Sequence, residues 1–374
     1  MDIPFAETLL ATYVSHRARG KPVAALQDFK PERVQRILLT LTTGIGDAIF
    51  SSAIFPSIRA AFPQARIALF CRTGWRPLFA ASPDLDEVIT YPGKFRQFFG
   101  TLKNLRQFRP DLSLVLHGND PDIIPLLYLA DSRFILRIPT EGTRFGYLLS
   151  NRARQEDAQP HPQLHYVDNR LRLLDSLNIP AVTQAPSIHL SQALLKQTRK
   201  RLSKSIGERP YWVLHLHGAD PFKSLPDSLG RELIAAALER FPEHGLVLSG
   251  GPENREALQR LLPIDTAGRI FLAAGAFRLE ESAACLACAQ VVVAPDTGIL
   301  HLAAALDRPV IGLYAPTRAA LVGPRAASHP PLVLEKPQTC TPCLQKRCPH
   351  RPVVCMSQFT TAEILQALTP ILTP

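Results

Sequence analysis

The stretch Ile37-Leu38-Leu39-Thr40-Leu41-Thr42-Thr43-Gly44-Ile45-Gly46-Asp47 decides the fold of the amino-terminal half. A continuous apolar run is typical of a strand buried on both faces, and the glycines after it indicate a sharp turn. A helical pattern follows from Ala48 to Phe62, and Pro56 is expected to kink or split it. Further strand-like runs lie at 67–70 and 112–116. Strands alternating with helices predict a parallel sheet covered on both faces.

The carboxyl-terminal half repeats this pattern. Its strand-like runs lie at 211–216, 246–249, 270–273, 291–294 and 310–313. Between the halves, residues 155–187 are polar and rich in proline, as domain linkers are. The sequence therefore predicts an α/β chain in three parts: an extension with one helix at 1–35, a doubly wound domain at 36–187, and a second at 188–374 that ends in a helix.

Composition limits the classes of protein that fit. With 46% hydrophobic and 20% charged residues in 374, the chain is globular and long enough for two cores. The first residues are not a signal peptide and the seven cysteines are not a disulfide framework, so we expect a cytoplasmic protein. The net charge of +10 favours phosphorylated substrates or an anionic membrane face, and no nucleic-acid motif accompanies it.

The glycine turn predicts a ligand site. Amides at the start of a helix favour an anion, and Asp47 is expected at the sheet edge where ligands of parallel sheets bind. Alternatively, Asp47 simply caps the helix. A dinucleotide fingerprint also begins here, but Ile49 stands at its third glycine and no acidic residue follows the next strand. An NADP-dependent oxidoreductase that uses Arg72 is the alternative that this leaves.

A second motif, Pro295-Asp296-Thr297-Gly298-Ile299-Leu300-His301, follows a buried strand. The amides of Thr297 and Gly298 would begin a helix and could face a diphosphate, and His301 stands one turn further on. A capping aspartate and a core histidine are the simpler interpretation.

A third motif is Cys340-x2-Cys343-x4-Cys348-x6-Cys355, in the proline-rich segment 340–355. Four thiols at this spacing can converge on one tetrahedral ion, and sulfur ligands favour Zn or Fe. Such a metal would be structural. The alternative is reduced thiols or a facultative disulfide.

The first two motifs carry a family resemblance. The amino-terminal residues that match are Gly44, Gly46, Asp47, Pro56, Arg59 and Phe62-Pro63; the carboxyl-terminal ones are Asp296-Thr297-Gly298, His301 to Ala305, Pro309, Pro316-Thr317 and Gly323-Pro324. On these residues the chain resembles glycosyltransferase family 9, the heptosyltransferases, over roughly residues 36–370. The resemblance implies a GT-B fold, in which two Rossmann-like domains face a cleft. Leu225 and Ala315 depart from the family pattern, so the resemblance specifies the fold more closely than the identity of the sugar donor.

The resemblance also implies roles for individual residues. Asp47 matches the general base toward the acceptor hydroxyl, and Lys223 matches a lysine that meets the diphosphate. Residues expected around the ADP-sugar are Asp296, Thr297, Gly298 and His301. The ribose is expected to contact Glu253, or else Glu256. The acceptor side is predicted to include Gly44, Gly46, His117, Asn119 and Arg144.

Together these features predict an inverting glycosyltransferase that moves a sugar, expected to be a heptose, from an ADP-sugar to an acceptor hydroxyl. The resemblance implies a place in lipopolysaccharide core or related glycan assembly, with no metal or other cofactor in catalysis. The expected acceptor is a glycan or lipid-linked saccharide, and the positive charge predicts peripheral contact with the anionic face of the inner membrane. An NADP-dependent oxidoreductase and a noncatalytic protein that binds sugar nucleotides or polyanions are the alternatives.

Overall fold

The computed structural model describes residues 3–118, 120–138, 145–152, 161–218, 220–264, 266, 268–338, 340, 348, 350 and 354–373. The chain divides into two compact units, Met1–Pro186 and Ser187–Pro374. Each unit contains a parallel sheet with helices packed against it.

Unit 1 contains five strands and seven helices among the described residues. The strands are β1 (Arg36–Leu41), β2 (Arg66–Arg72), β3 (Glu87–Tyr91), β4 (Leu112–His117) and β5 (Phe134–Arg137). The helices are α1 (Ile3–Gly20), α2 (Ile45–Ser52), α3 (Phe55–Ala61), α4 (Arg76–Phe79), α5 (Phe98–Phe108), α6 (Ile123–Leu129) and α7 (Tyr166–Asp175). The strand order is β3-β2-β1-β4-β5, with every pairing parallel. Five successive residues of the central strand β1 are buried, so both of its faces are covered, which explains its continuous apolar sequence.

Unit 2 contains six strands and seven helices among the described residues. The strands are β6 (Tyr211–His215), β7 (Gly245–Ser249), β8 (Ile270–Leu272), β9 (Val292–Pro295), β10 (Val310–Tyr314) and β11 (Leu332–Glu335). The helices are α8 (Gln192–Ile206), α9 (Asp227–Arg240), α10 (Arg255–Gln259), α11 (Leu279–Ala287), α12 (Gly298–Ala305), α13 (Ala319–Val322) and α14 (Thr361–Leu372). All pairings are again parallel, in the order β11-β10-β9-β6-β7-β8.

Each sheet has one point where the strand order reverses direction. In unit 1 the chain leaves β1 for β2 on one side and later returns to β4 on the other. In unit 2 the same reversal separates β6 from β9. Ligands of open parallel sheets bind beyond the carboxyl ends of the strands at such a point, so each unit has a favoured location for a site.

The local predictions mostly hold. The helix expected over 5–19 is present as α1, and Pro56 divides the helix expected from Ala48 into α2 and α3. Helix α2 begins at Ile45, earlier than predicted, so Asp47 lies inside its first turn. Strands β3, β5 and β11 had no clear signal because they are short edge strands, and β3 and β11 are only partly buried.

One face of the unit 1 sheet carries α5, α6 and α1 in a common apolar core. Every residue of α6 is buried, which requires cover on all sides. Part of that cover is α1: Arg17 and Lys21 both pair with Asp131, just after α6, and Val14 is fully buried in the shared core. No helix within the described ranges is both long and apolar enough to cross a membrane.

Candidate functional site

The glycine turn of unit 1 presents the start of α2 beyond the carboxyl end of β1. Gly44 precedes the helix with a φ of −59°, which any residue adopts, and no other atom comes within 4 Å of where its side chain would lie. Glycine at this position therefore gives access to the helix amides and is not demanded by backbone geometry. Gly46 lies in the first turn.

Asp47 does not cap α2, contrary to the simpler interpretation of the sequence, because no side chain caps this helix. Its Oδ1 instead accepts a hydrogen bond of 3.0 Å from Nη2 of Arg170 in α7, and Nε2 of His117 lies 3.7 Å away. Its side chain is 32% exposed, and within the described parts of the chain no group hydrogen-bonds Oδ2. One carboxylate oxygen is thus held and the other is open.

His117, at the end of β4, is a neutral neighbour of Asp47. Burial, together with the charges of Arg170 and Arg137, lowers the pKa of His117 to about 4, against the opposing charge of Asp47. Its Nδ1 lies 2.8 Å from Oγ1 of Thr43. The ring is therefore fixed between the glycine turn and the Asp47 carboxylate.

Side chains from β2 and the segment after it hold the turn from outside. Nε of Arg72 donates to the carbonyl of Thr42, and Nε1 of Trp75 donates to the carbonyl of Thr43 at 2.8 Å. Gly118 packs directly on the Thr42 side chain, where any larger residue would collide. The Arg72 guanidinium also approaches the Asp120 carboxylate at 3.5 Å, so structural contacts engage the residue that an NADP site would need.

Two of the predicted acceptor residues, Asn119 and Arg144, lie outside the described residues. The region around Asp47 still has a strong positive character. Burial lowers the pKa of both Arg170 and Arg137. The charge of Arg170 lowers the pKa of Arg137 further, whereas the charge and hydrogen bond of Asp47 oppose the shift of Arg170. Two largely buried guanidinium groups beside one carboxylate leave excess positive charge at this edge.

The Asp296 carboxylate organises the equivalent edge of unit 2. Its Oδ2 accepts hydrogen bonds of 2.8 Å from Nζ of Lys223 and from Oγ1 of Thr317, and its Oδ1 lies 3.2 Å from Nε2 of His301. The side chain is only 8% exposed. Burial opposes its ionisation, but the hydrogen bond from His301 and the charge of Lys223 outweigh burial and hold the pKa of Asp296 well below its usual range.

Thr297 precedes α12 in an extended conformation, and Gly298 begins the helix. The Oγ1 of Thr297 is buried and hydrogen-bonds to no described residue. Gly218 lies against this residue and against Lys223: a side chain there would meet Thr297 Cγ2 at 3.2 Å and Lys223 Cβ at 3.4 Å. The close approach at Gly218 brings the lysine and the helix start together.

His215 and Ser249 extend the same edge along β6 and β7. Nδ1 of His215 lies 3.1 Å from Oγ of Ser249, and burial lowers the pKa of His215 to about 4. After β7, Glu253 folds its carboxylate over Gly251. Glu256 instead projects from α10 into solvent and pairs with Arg260 at 2.6 Å. Of the two glutamates proposed for the ribose, Glu253 is the one at the sheet edge.

The described part of the cysteine segment is incomplete, since Cys343 lies outside it. Sγ of Cys340 lies 3.2 Å from Nε2 of His350, and Cys348 is half-buried. Cys355 is buried in the main core of unit 2. Within the ranges that the structure describes, no group of three or more metal-binding side chains comes together.

Sequence reasoning missed three residues of these sites. Arg170 is 123 positions from Asp47, and nothing in its local sequence marks it as a partner. Gly218 lacks a motif of its own. Thr317 belonged to the quoted family pattern, which was a usable signal, but no role was assigned to it.

Comparisons with known proteins agree with the resemblance. The model of glycosyltransferase family 9 (heptosyltransferase) matches residues 128–354. The lipopolysaccharide heptosyltransferase 2 of Salmonella typhimurium is 27% identical over 303 residues, which cover 75% of this chain and 83% of that protein.

Two solved structures share the fold. The E. coli ADP-heptose lipopolysaccharide heptosyltransferase II aligns with a TM-score of 0.73 at 21% identity, covering 90% of this chain and 98% of the other. The E. coli heptosyltransferase WaaC with ADP aligns with a TM-score of 0.66 at 19% identity, covering 90% and 99%. The predicted fold class, two Rossmann-like units of the GT-B type, is therefore confirmed.

Proposed function

Because the chain belongs to glycosyltransferase family 9 (heptosyltransferase), we propose that it transfers heptose from ADP-heptose to an acceptor hydroxyl in lipopolysaccharide assembly, with inversion. Membership makes the chain a glycosyltransferase and leaves no place for the NADP-dependent or noncatalytic alternatives. The donor follows from structural relatives whose names include ADP-heptose or ADP, and the acceptor from lipopolysaccharide heptosyltransferase relatives.

The observation that carries the mechanism is the open oxygen of Asp47. A general base needs a carboxylate that is ionised, held in place and still able to take a proton. Arg170 holds Oδ1 at 3.0 Å, and Oδ2 remains available to the acceptor hydroxyl. In this proposal Asp47 is the catalytic base, Arg170 is a positioning residue, and the neutral His117 adds no competing positive charge.

The donor is proposed to bind unit 2. Breaking the glycosidic bond leaves negative charge on ADP, which preorganised donors stabilise best where the charge develops. The amides of Thr297 and Gly298 at the start of α12 and the ammonium of Lys223 would supply them. The buried Thr297 hydroxyl supports this assignment, because a buried polar group without a protein partner is expected to meet a ligand or water.

Asp296 and His301 are proposed to act indirectly, by positioning the groups around the diphosphate. The carboxylate is saturated by three side chains, so its role is to fix Lys223 and His301 beside the diphosphate. We assign the ribose hydroxyls to Glu253 and not to Glu256, because Glu253 lies beyond the carboxyl end of β7 and Glu256 is engaged with Arg260 in solvent.

The acceptor is proposed to bind unit 1, near Gly44, Gly46, His117, Asn119 and Arg144. Arg170 is only 10% exposed and its Nε is buried, so its contribution to acceptor binding is its positive charge, which favours a phosphate near this edge. We therefore favour a phosphorylated, lipid-linked saccharide at the cytoplasmic face of the membrane. The predicted division into an extension at 1–35, an acceptor domain at 36–187 and a donor domain at 188–374 is part of this proposal.

For the cysteine segment we propose a structural Zn or Fe ion. The proposed ligands are Cys340, Cys343, Cys348 and Cys355, whose sulfur atoms such ions prefer. His350 lies beside Cys340, with 3.2 Å between Nε2 and Sγ. The ion would tie the segment 340–355 to the core of unit 2. Metal analysis of untagged protein should give about one ion per chain; a stoichiometry near zero would leave reduced thiols as the explanation.

The function is tested by product analysis. Incubation with ADP-heptose and a crude lipid-linked acceptor extract should yield an acceptor heavier by one heptose in mass spectrometry. In parallel, ADP should raise the melting temperature in a saturable way and NADP should not. If no acceptor gains mass and NADP alone stabilises the protein, the transferase assignment is wrong.

A further inference from the structure

Helix α1 has an apolar face that the fold does not use. Phe5, Leu9 and Tyr13 follow one another at intervals of four residues and so form one stripe, and each is 52–58% exposed. The opposite face contains the fully buried Val14 and packs against the α6 layer. A surface helix that needed only to cover α6 would carry polar residues on its outer face.

Helix α5 lies in the same layer and adds to this surface. Phe99 is 83% exposed and stands edge-on to Phe98, with ring centres 5.6 Å apart. Both helices pack against α6 in one apolar core, so α1 and α5 belong to the same helical layer of unit 1. We call the exposed Phe5, Leu9, Tyr13 and Phe99, with the basic residues around them, the α1–α5 surface.

The charges of the α1–α5 surface are positive. Residues 92–110 contain five basic side chains and no acidic one: Lys94, Arg96, Lys103, Arg106 and Arg109. All five are exposed, although Lys94 lies 3.9 Å from the Asp120 carboxylate. The exposed acidic residue of this layer, Asp131, is paired with both Arg17 and Lys21. On α1, His16 and Arg19 lie exposed beside the stripe, whereas the helix's one acidic residue, Glu7, is half-buried.

We propose that the α1–α5 surface docks on an anionic phospholipid bilayer. Exposed aromatic and aliphatic side chains bordered by Lys and Arg are the combination that adsorbs to the boundary between headgroups and acyl chains. Each Lys or Arg near an anionic membrane adds about 1 kcal/mol, and the effect is lost within a Debye length. The inference rests on the proposed function in one respect, that the acceptor is lipid-linked and reached at the membrane.

A second copy of the chain fits this surface less well. The exposed parts of the stripe amount to only about 300 Å², whereas a stable interface needs about 800 Å² from each partner. Two copies related by symmetry would also bring the same basic residues together. A bilayer requires neither a large rigid contact nor a complementary protein surface.

Cosedimentation of the full chain with vesicles tests the proposal. Vesicles of phosphatidylglycerol and phosphatidylethanolamine should bind the protein, and vesicles of phosphatidylcholine alone should bind it at least about tenfold more weakly. The triple variant Phe5→Ser, Leu9→Ser, Tyr13→Ser should reduce binding to the anionic vesicles by about tenfold or more. A matched control, Val182→Ser with Ile264→Ser, removes exposed apolar side chains elsewhere and should bind like the wild type.

The charge component has its own variant. Arg96→Gln with Lys103→Gln removes two exposed cations outside the proposed catalytic sites and should weaken binding by several-fold, as should raised salt. The proposal is overturned if the triple variant sediments with the anionic vesicles as fully as the wild type. It is also overturned if analytical ultracentrifugation shows a wild-type dimer that the triple variant dissociates, because the stripe would then bind a second copy.

Failure of docking and failure of the proposed function give different results. Transfer of heptose to a water-soluble fragment of the acceptor should be unchanged in the triple variant, because the stripe is not part of the proposed catalytic machinery. A wild-type protein that binds vesicles but transfers no sugar contradicts the proposed function alone. A wild-type protein that transfers sugar but ignores vesicles contradicts docking alone.

Discussion

The two units carry matching sites with different chemical states. At the reversal point of each sheet, an aspartate follows one central strand, a histidine stands close to it and a cation pairs with it: Asp47, His117 and Arg170 in unit 1, and Asp296, His301 and Lys223 in unit 2. The carboxylate of Asp296 is 8% exposed, with both oxygens hydrogen-bonded. That of Asp47 is 32% exposed, with one oxygen engaged by the described residues.

This difference separates an anchor from a reactive group. A buried carboxylate with both oxygens hydrogen-bonded to neighbouring side chains can hold those side chains, but neither oxygen is open to a substrate proton. A carboxylate held at one oxygen is oriented and can still react at the other. The same local arrangement therefore serves binding in one unit and, as we propose, catalysis in the other.

Replacing Asp296, the anchoring carboxylate, should have the largest effect of all, on the stability of unit 2. We expect Asp296→Ala to lower the free energy of unfolding of unit 2 by about 3 kcal/mol, because it leaves a largely buried ammonium without its partner. Asp47→Ala should cost unit 1 less, about 2 kcal/mol, because it also leaves a largely buried cation, Arg170, without its partner but releases one hydrogen-bonded side chain and not three. The chain has two tryptophans, Trp75 in unit 1 and Trp212 in unit 2, so single-tryptophan variants followed in urea report each unit separately. Equal losses of unfolding free energy in the two variants would contradict the distinction between an anchoring and a reactive carboxylate.

Loss of the base should come next. Asp47→Asn keeps the shape of the side chain and is expected to reduce transfer by at least about 100-fold, or about 2.7 kcal/mol, with ADP affinity unchanged. Asp86→Asn is the matched control, because Asp86 pairs with Arg59 at 2.7 Å but lies before β3, at the opposite edge of the sheet. Turnover of Asp47→Asn equal to that of the control would remove Asp47 from the mechanism.

Acid should weaken both units through buried histidines. The pKa values of His117 and His215 are lowered to about 4 from an ordinary 6.5, so the unfolded chain takes up protons first. Stability is complete above about pH 6.5 and is lost as the pH falls toward 4, by about 1–2 kcal/mol per histidine between pH 7 and 5. His117→Gln should remove this dependence from the Trp75 transition alone, and His215→Gln from the Trp212 transition alone. The exposed His16→Gln is the control, and a slope unchanged in all three variants would refute the assignment.

The smallest expected effect concerns the donor. Lys223→Ala should raise the dissociation constant of ADP by about tenfold, or 1.4 kcal/mol, because one of the charges facing the diphosphate is lost. Lys336→Ala removes a comparable lysine in unit 2 that is paired with Glu363 at 2.9 Å and belongs to no proposed site. Calorimetric titration with ADP compares the two, and equal affinities would mean that Lys223 serves Asp296 alone.

The sequence predicted the parts of this molecule that depend on local pattern. The apolar run of β1, the glycine turn and the break at Pro56 are each encoded by neighbouring residues. The role of Asp47 could not be deduced that way, since at the start of a helix an aspartate has the composition of a cap. What distinguishes it is Arg170, brought in from α7 by tertiary packing that no local pattern records.

The hydrogen-bond partners of Asp296 were equally impossible to predict from the local sequence. Its partners come from three separate segments, after β6, within α12 and after β10, and they meet only because those strands are neighbours in the sheet. Family resemblance supplied the residue types without their connections. In each unit, the sequence located the edge of the sheet and the fold determined which oxygen remains open.

The packing of α1 on α6 has a consequence for how the protein is made. Lys21 and its partner Asp131 are 110 positions apart, so α1 emerges from the ribosome long before the helix that it covers. Until α6 and β5 have been synthesised, the inner face of α1 has nothing to pack against, and contacts at such separation form slowly. Completion of unit 1 therefore waits for its first helix to find a partner translated much later.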